Sequence, residues 1–373
     1  MLQQSDLTRY LFEKDLLEPD SIVSGDLDIR DASRRNRNFK VLRKQSRCYF
    51  LKQGIGPLAS LEREAAVYRF LRLLPAKLDI VESLPTVILH DDAQRTLVIE
   101  MAHRSETVDE YCFRCGRIPM WVGGRLGRAL GDLHRLRRDE SPPQEFEVEA
   151  PWVFAIHEPR LRVFWGASEA NLSLIRIIQE HSGLRAELEG LRDAWRAEAL
   201  IHGDLKAANL VVEGGPTGRS RRGFKIIDWE LAGYGDPAWD VGSVLSDCLA
   251  LWILSIPMAQ ELTVEQSLPL ARIPLKRLTP FVRSFWSAYV DRRGLNPEAA
   301  AEVLRRSMSH AAARLLQTAY ETTRQADRLS ANTVHMVQLS WNLMTRPDEA
   351  ASRLFGLPGA VDPEPRLAAP ESR

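Results

Sequence analysis

The sequence has few cysteines and no excess of charge of either sign. Its 373 residues include 4 cysteines, and 50 lysines and arginines balance 50 aspartates and glutamates. Four thiols in so long a chain do not make a disulfide framework, so a reduced, cytoplasmic protein is expected. A net charge of zero provides no overall field that would attract nucleic acid or an anionic membrane, and we expect neither as a partner.

Long apolar runs are also missing. The amino-terminal residues MLQQSDLTRYLFEKD contain no basic segment followed by an apolar stretch, which argues against a secretory signal. The longest apolar run, Cys248 to Met258, has roughly half of the ~20 residues that a membrane-spanning helix needs, so it is interpreted as a buried helix. With 45% hydrophobic and 27% charged residues, the composition is that of a folded globular protein.

The first hundred residues carry strand signals around a single long helical pattern. A helical pattern from Leu7 to Leu17 precedes them. Alternating or apolar runs predict strands at Phe39 to Val41, Cys48 to Lys52, Pro85 to Leu89 and Thr96 to Met101. Between them, apolar residues recur at helical spacing from Leu58 to Leu74. These patterns predict a small antiparallel sheet with one inserted helix over residues 1–103.

Beyond His103 the pattern becomes mainly helical. Helices are predicted at Trp121 to Leu136, at Leu172 to Ala199 and over most of the chain from Val241 to Leu357, with short strands at Leu210 to Val212 and Phe224 to Ile227. We therefore predict an α+β fold with a helical domain over residues 104–360. The last residues, 361–373, hold little to bury and are expected to be disordered.

The strongest chemical signal lies in two segments, IHGDLKAANL at 201–210 and IIDWE at 226–230. They place Asp204 five residues before Asn209, and Asp228 nineteen residues after it. An Asp and an Asn on a tight loop that faces an Asp at a strand end can converge on one metal–phosphate centre. Phosphoryl transfer requires such a set, with one carboxylate to accept the proton of the acceptor hydroxyl and oxygen ligands for Mg²⁺.

In residue type, order and spacing, these segments and GDPAWD at 235–240 resemble the aminoglycoside phosphotransferase and choline kinase branch of protein-kinase-like folds. The resemblance implies a two-lobed molecule, with a small antiparallel-sheet N-lobe and a larger, mainly helical C-lobe. It also implies that Asp204 is the catalytic base and that Asn209 and Asp228 bind the metal. Asp240 would begin a helix and anchor the catalytic loop.

A kinase-like fold further implies a strand lysine that holds the nucleotide phosphates and pairs with a helix glutamate. Lys52 ends the apolar run Tyr49-Phe50-Leu51, and Glu64 lies on the following helix, where Glu62 would point to a different face. Lys206, two residues after the expected base, corresponds to a lysine that contacts the transferred phosphate in Ser/Thr protein kinases. We therefore assign Lys52 and Glu64 to nucleotide binding and Lys206 to catalysis.

Two further segments are expected to contact the nucleotide. Eight basic residues and no acidic one lie between Arg34 and Leu61, which favours polyanion binding, and Arg35 and Arg37 are the expected phosphate contacts. The loop Ser33 to Asn38 contains no glycine, unlike the glycine-rich loops of protein kinases. The run Leu97 to Ala102 resembles the segment between kinase lobes, so Glu100 and Ala102 are expected to bind the adenine edge through their backbone.

The implied cofactors are ATP and Mg²⁺, but the acceptor is left open. A hydroxylated small molecule is favoured, and Glu230 and Asp236 border the site as carboxylates that can hold a cationic acceptor. Late arginines such as Arg314 suit instead a Ser/Thr-containing peptide, as in enzymes that phosphorylate precursor peptides before dehydration in lanthipeptide and thioamitide biosynthesis. That alternative allows for a partner subunit. A third alternative is a catalytically silent nucleotide-binding partner protein.

Overall fold

The computed structural model describes residues 4–33, 37–44, 46–54, 59–136, 146–159, 166–214, 223–257 and 263–358. The chain divides into two compact units, each assembled from several segments. The first unit comprises residues 1–118, 125–149 and 196–237, and the second comprises residues 119–124, 150–195 and 238–373. The first unit therefore combines the N-terminal region with the segment that carries both chemical motifs. The boundaries at 103 and 360 stay predictions, and the tail 361–373 lies outside the described residues.

The first unit contains a five-stranded antiparallel sheet in the order β1-β2-β3-β5-β4. Its strands are β1 (Leu27–Asp31), β2 (Arg37–Arg43), β3 (Cys48–Gln53), β4 (Val87–Asp91) and β5 (Thr96–Met101). The predicted hairpin and the two later strands are confirmed, and β5 has the predicted bounds. Strand β1 was not predicted, because its residues LDIRD are mostly polar and only partly buried.

The two faces of this sheet have different partners. Leu51 on β3 and Val98 on β5 pack with Leu7 and Leu11 of the N-terminal helix Gln4–Glu13. Because side chains alternate along a strand, Lys52, one residue after Leu51, points to the opposite face. The sheet therefore shields one face with apolar side chains and presents the lysine on the other.

The remaining strands of the first unit are short. Strands β6 (Ser105–Thr107), β8 (Leu210–Glu213) and β9 (Gly223–Ile226) form a three-stranded sheet in the order β6-β8-β9, and β7 (Ala199–Ile201) pairs with β10 (Gly233–Gly235). The predicted strands at 210–212 and 224–227 are thus confirmed. They place the two chemical motifs at strand ends: the first follows β7, and Asp228 follows β9.

Helices complete the first unit. The long one spans Ala59–Arg72, close to its predicted bounds, and the shorter ones span Pro19–Val23, Asp79–Glu82 and Val108–Cys115. The N-terminal helix stops at Glu13, earlier than the predicted Leu17, because the backbone of Asp15 turns left-handed with φ 57°. Pro19 begins the next helix, where its missing N–H costs no hydrogen bond.

The second unit is helical in its described residues. Its main elements, together with the helix Met120–Leu133 that begins in it, span Trp152–Ala155, Glu169–Glu180, Ser182–Asp193, Pro237–Leu254, Val264–Ser267, Leu268–Leu270, Leu275–Arg293, Pro297–Thr322, Ala331–Thr345, Pro347–Ala350 and Ala351–Phe355. The helical prediction for residues 241–357 is confirmed. All four cysteines of the protein are free thiols.

The prediction of one helix from Leu172 to Ala199 is wrong. Two helices occupy most of that span, and they meet at His181, whose backbone leaves the helical region with φ −90° and ψ 92°. The Nδ1 atom of His181 accepts a hydrogen bond from the backbone N–H of Leu184 at 3.0 Å, so this side chain caps the second helix. Ala199 itself belongs to strand β7.

One helix in the described part of the chain, Pro237–Leu254, is long and apolar enough to cross a membrane. However, 83% of its apolar window is buried inside the protein, as in the core helix of a globular protein. A Cβ atom on Gly242 would lie 2.6 Å from the carbonyl oxygen of Ser307, so this helix packs tightly against its neighbour. Asp240 lies in its first turn and is fully buried.

Candidate active site

Lys52 is the centre of a charged cluster in the first unit. Its Nζ atom lies 2.6 Å from Oε2 of Glu64, 2.5 Å from Oδ1 of Asp228 and 3.5 Å from Oε2 of Glu230. Lys52 is only 7% exposed, although it sits near the end of a strand. The structure thus brings together Lys52, Glu64 and Asp228, which the resemblance assigned to one nucleotide site, and adds Glu230 to them.

This cluster contains more negative than positive charges. Burial alone would lower the pKa of Lys52, but the carboxylates of Glu64, Asp228 and Glu230 outweigh that effect and raise it, so the ammonium stays charged. Burial raises the pKa of Glu64, and the Lys52 ammonium opposes this rise. One ammonium therefore faces three carboxylates, and the excess negative charge favours a second cation nearby.

The helix Ala59–Arg72 selects which glutamate meets Lys52. Glu64 is 2% exposed, whereas Glu62, two residues earlier, points to solvent, as predicted from helical spacing. Tyr68, one turn further on, donates a hydrogen bond from its hydroxyl to Oε1 of Glu64 at 3.3 Å. Burial raises the pKa of Tyr68, which keeps this donor protonated. Glu64 is thus held at both oxygens.

The loop after β7 holds Asp204 through its backbone. His202 is fully buried, and its Nδ1 atom accepts the backbone N–H of Asp204 at 3.3 Å. The other ring nitrogen, Nε2, lies 3.0 Å from the carbonyl oxygen of Ile227. Because Nδ1 is an acceptor, the ring proton is on Nε2, which donates a hydrogen bond to that carbonyl. Gly203, between His202 and Asp204 in the sequence, adopts φ +82°. A Cβ atom at this position would lie 2.5 Å from the carbonyl oxygen of Leu231.

The Asp204 side chain has two polar neighbours within its own loop. Lys206 donates from Nζ to Oδ2 of Asp204 at 2.6 Å. The Asn209 amide nitrogen donates to the backbone carbonyl of Asp204 at 2.9 Å and lies 3.4 Å from its Oδ2. The Asp204 side chain is 14% exposed. It is therefore oriented by a cation and an amide, yet remains accessible to a reacting hydroxyl.

Asp228 occupies an unusual backbone position. It adopts φ 69° and ψ 58°, a left-handed conformation that is uncommon for a residue with a side chain. The following Trp229 is fully buried, donates from Nε1 to the carbonyl of Ile226 at 2.9 Å and packs on the His202 ring with centroids 4.6 Å apart. Strain of this kind persists only where the surroundings enforce it, and it is concentrated at functional sites.

Ile227 joins the two motifs. Its carbonyl oxygen accepts from His202, and its N–H donates to the carbonyl of Asn209 at 3.0 Å. Since Asp228 is the next residue, the loop that carries Asp204 and Asn209 is fixed against the strand end that carries Asp228. The four predicted residues Lys52, Asp204, Asn209 and Asp228 thus belong to one connected polar framework.

An open pocket of about 560 Å³ lies on the face of the sheet that carries Lys52. Phe50, Ile99, Val211 and Ile227 give it apolar walls, and its full lining is Lys40, Phe50, Pro85, Ile99, Glu100, Met101, Ser105, Glu106, Thr107, Glu110, Val211, Glu213, Lys225 and Ile227. A pocket with apolar walls and polar groups at its edge suits a nucleobase. Burial raises the pKa of Glu213 and lowers that of Lys225, so it favours the neutral form of both at this wall.

The other predicted nucleotide contacts are distributed as follows. Glu100 lines the pocket, and Ala102 is half-buried one residue after the end of β5. Arg37 begins β2 and pairs with Gln53 on β3; the next residue, Asn38, pairs with Lys52. Arg35 lies outside the described residues.

Sequence reasoning missed part of the site. Glu230 was considered for the acceptor but lies 3.5 Å from Lys52, and its spacing of two from Asp228 is the signal that could have placed it there. Asp236, the other carboxylate considered for the acceptor, is fully buried. The positioning contacts of His202 and Tyr68 were also not foreseen, although Tyr68 follows Glu64 by one helical turn.

Comparison with known sequences links the chain to enzymes. A family model described as "Phosphotransferase enzyme family" matches residues 29–262. A 4-hydroxytryptamine kinase of Psilocybe cyanescens is 22% identical over 207 residues, which cover 50% of this chain and 54% of that protein. Acyl-CoA dehydrogenase family member 11 of Mus musculus is 27% identical over 110 residues, covering 30% of this chain and 12% of that protein. The chain thus matches about half of the first relative and a small part of the second.

Solved structures resemble the fold as a whole. A choline/ethanolamine kinase family protein from Mesorhizobium loti has a TM-score of 0.50 and 16% identity, over 92% of this chain and 96% of that one. A choline kinase from Cryptosporidium parvum has a TM-score of 0.52 and 10% identity, over 93% and 96%. An ADP-bound aminoglycoside phosphotransferase has a TM-score of 0.52 and 16% identity, over 92% and 99%. These likenesses confirm the predicted α+β, protein-kinase-like fold.

Proposed function

Because the chain belongs to the phosphotransferase enzyme family, we propose that it transfers the γ-phosphate of ATP to a hydroxyl group of a small molecule, with Mg²⁺ as the metal. The observation that carries this proposal is the polar framework in which Lys52 meets Glu64 and Asp228, while Ile227 holds the Asp204–Asn209 loop against Asp228. Phosphoryl transfer depends almost entirely on positioning and charge stabilisation, and this framework supplies both.

The roles of the residues follow from their contacts. Asp204 accepts the proton of the attacking hydroxyl, since it is a partly exposed carboxylate held by His202 and Asn209. Lys206, 2.6 Å from Asp204, contacts the transferred phosphate and keeps the carboxylate aligned. Lys52 binds the nucleotide phosphates through its ammonium, which Glu64 holds in place. Arg35 and Arg37 add phosphate contacts from the preceding segment.

The residues present fit a magnesium ion. The expected ligands, Asp228 and Asn209, supply hard oxygen donors, which Mg²⁺ prefers. Asn209 directs its amide nitrogen to Asp204, which leaves its amide oxygen for a ligand role. The three carboxylates around Lys52 leave an excess of negative charge that a divalent cation would offset. When bound, the ion neutralises charge on the phosphates; the positioning of Asp204 and Lys52 comes from the protein alone.

The pocket beside Lys52 is the proposed site for the base of the nucleotide. Two residues of its apolar walls are close in sequence to the proposed metal ligands: Val211 follows Asn209 by two residues, and Ile227 immediately precedes Asp228. The pocket walls and the expected phosphate end of the site are therefore formed by the same two segments. We assign the edge of the base to the backbone of Glu100, which lines the pocket, and of Ala102. We assign the nucleotide as ATP; the four free thiols also support a reducing, cytoplasmic location.

A small hydroxylated acceptor is favoured over a peptide. The relatives are named as a 4-hydroxytryptamine kinase, choline kinases and an aminoglycoside phosphotransferase, which are small-molecule enzymes by those names. Their sequence identities are low, so the acceptor of this chain is proposed at the level of the chemical class alone.

The test is to incubate the purified chain with Mg-ATP and a panel of hydroxylated amines, sugars and alcohols, with a Ser/Thr-rich peptide as a separate arm. Mass spectrometry should show a gain of about 80 Da on a small molecule, since one phosphate replaces one hydroxyl proton. A gain on the peptide alone would support the peptide alternative. Retained ATP binding with no phosphorylated product in any arm would support the silent-partner alternative.

A further inference from the structure

We propose that His157, Glu158 and Glu189 form a binding site for a divalent transition-metal ion such as Zn²⁺ in the second unit. His157 and Glu158 follow the 3₁₀ helix Trp152–Ala155, and Glu189 lies on the helix Ser182–Asp193. The ligand atoms of the three residues all lie within 4.8 Å of one another. One imidazole and two carboxylates make a ligand set that zinc accepts, with a further position open to water.

The independent evidence for a ligand is the state of His157. It is 5% exposed, yet neither of its ring nitrogens makes a hydrogen bond. Nε2 lies 3.2 Å from Oε1 of Glu189, close enough for an ion pair but outside hydrogen-bonding geometry. Buried polar groups are seldom left without a hydrogen bond, so a buried imidazole that faces a carboxylate without bonding to it calls for a third group. A metal ion between the two would supply it.

The surroundings allow an ion to enter and hold the backbone in place. The side chains of Glu158 and Glu189 are 63% and 46% exposed, so the site opens to solvent on its carboxylate side. Gln179 donates from Nε2 to the backbone carbonyl of His157 at 2.9 Å, which fixes the segment that carries two of the ligands. The ion would thereby connect this segment to the helix Ser182–Asp193.

The guanidinium of Arg192 competes with a metal ion for the carboxylate of Glu158. Its Nη1 atom lies 3.5 Å from Oε2 of Glu158, so a bound cation must displace or share that carboxylate. This contact leads to a second expectation for the variants. Removing the guanidinium with Arg192→Met should tighten metal binding, since a positive charge near the site disfavours a cation.

The proposal is tested by titrating the metal-free full chain with Zn²⁺ and, in parallel, with Co²⁺. Besides any ion at the all-oxygen ligands Asn209 and Asp228, we expect one Co²⁺ site with the visible spectrum of nitrogen and oxygen ligands, and this signal should remain when Mg²⁺ is in excess. Glu189→Gln, which alters a half-exposed helix residue, should weaken binding by about tenfold or more. Glu187→Gln, an exposed change on the same helix, should leave the affinity unchanged. His157→Asn should weaken binding as Glu189→Gln does, and turnover should be the same in all variants.

Several results would overturn the proposal. One is a chain that takes up no Zn²⁺ at micromolar concentrations. Another is a Co²⁺ spectrum with thiolate charge-transfer bands, which would assign the ion to cysteine. A third is equal affinity in Glu189→Gln and Glu187→Gln, or weaker binding in Arg192→Met. None of these results depends on the acceptor, so they leave the proposed phosphotransfer untouched.

Discussion

At the scale of single residues, the candidate site is a balance between one buried lysine and three carboxylates. Lys52 bonds to one oxygen of Glu64, and Asp228 and Glu230 share the same ammonium, so the excess negative charge suits a metal ion that carries a polyphosphate. The residue types that carry this site were identifiable in the sequence from motif spacing. The contact of Glu230 with Lys52 was not predicted, although Glu230 follows Asp228 by two residues; the left-handed turn at Asp228 between them has no signal in the sequence.

We predict different outcomes for two neighbouring glutamates on the helix Ala59–Arg72. Glu64→Gln should lower kcat/KM by about tenfold or more, because a buried charge-assisted hydrogen bond to Lys52 is worth about 1.5–3 kcal/mol. Glu62→Gln, an exposed change of the same chemistry, should leave kcat/KM unchanged. Steady-state kinetics with ATP as the varied substrate measure both. Equal effects would mean that Glu64 does not position Lys52.

At the scale of elements, the sequence indicated most of the strands and the longer helices, and it missed strand β1 and the three-residue strands. Strand β5 was predicted with its observed bounds because the apolar run Leu97-Val98-Ile99 lies at its centre. The three-residue strands β6, β7 and β10 are too short to show alternation, and their pairing is decided by long-range partners. The break at His181 was also missed, because a side chain that caps a helix leaves the apolar spacing on either side unchanged.

The role of the tight turn at Gly203 can be tested with a matched pair of substitutions. Gly203 and Gly25 both have positive φ, +82° and +68°, but only at Gly203 would a Cβ meet a neighbour, the carbonyl oxygen of Leu231 at 2.5 Å. Gly25→Ala should cost about 1–2 kcal/mol from backbone strain alone and leave turnover intact. Gly203→Ala should cost more and reduce turnover, because the Asp204 loop must move. Denaturant unfolding and turnover measure the two effects, and equal losses would contradict the role given to this turn.

At the scale of the whole molecule, nucleotide binding should stabilise the fold. A ligand that binds only the folded state adds about 2.7 kcal/mol at a concentration of a hundred times its Kd. The melting temperature should therefore rise with Mg-ATP in the wild-type protein. The four proposed site residues Lys52, Asp204, Asn209 and Asp228 all belong to the first unit, so we expect the stabilising contacts there.

Lys52→Met tests that stabilisation. The substitution removes the ammonium and leaves three carboxylates facing each other, so we expect a lower melting temperature without nucleotide and little further rise when Mg-ATP is added. Lys44→Met changes an exposed lysine directly after strand β2 and should keep the full rise in melting temperature with Mg-ATP. Differential scanning calorimetry measures all three proteins. A full rise in Lys52→Met would contradict its assignment to the phosphates.

The most direct test of the whole account is the turnover of Asp204→Asn. The amide keeps the size of the side chain but cannot accept the proton of the hydroxyl, so kcat should fall by about 10² or more. Binding of Mg-ATP, measured by calorimetric titration in the same preparation, should be retained. A variant that binds the nucleotide and turns over as fast as the wild-type protein would contradict the account.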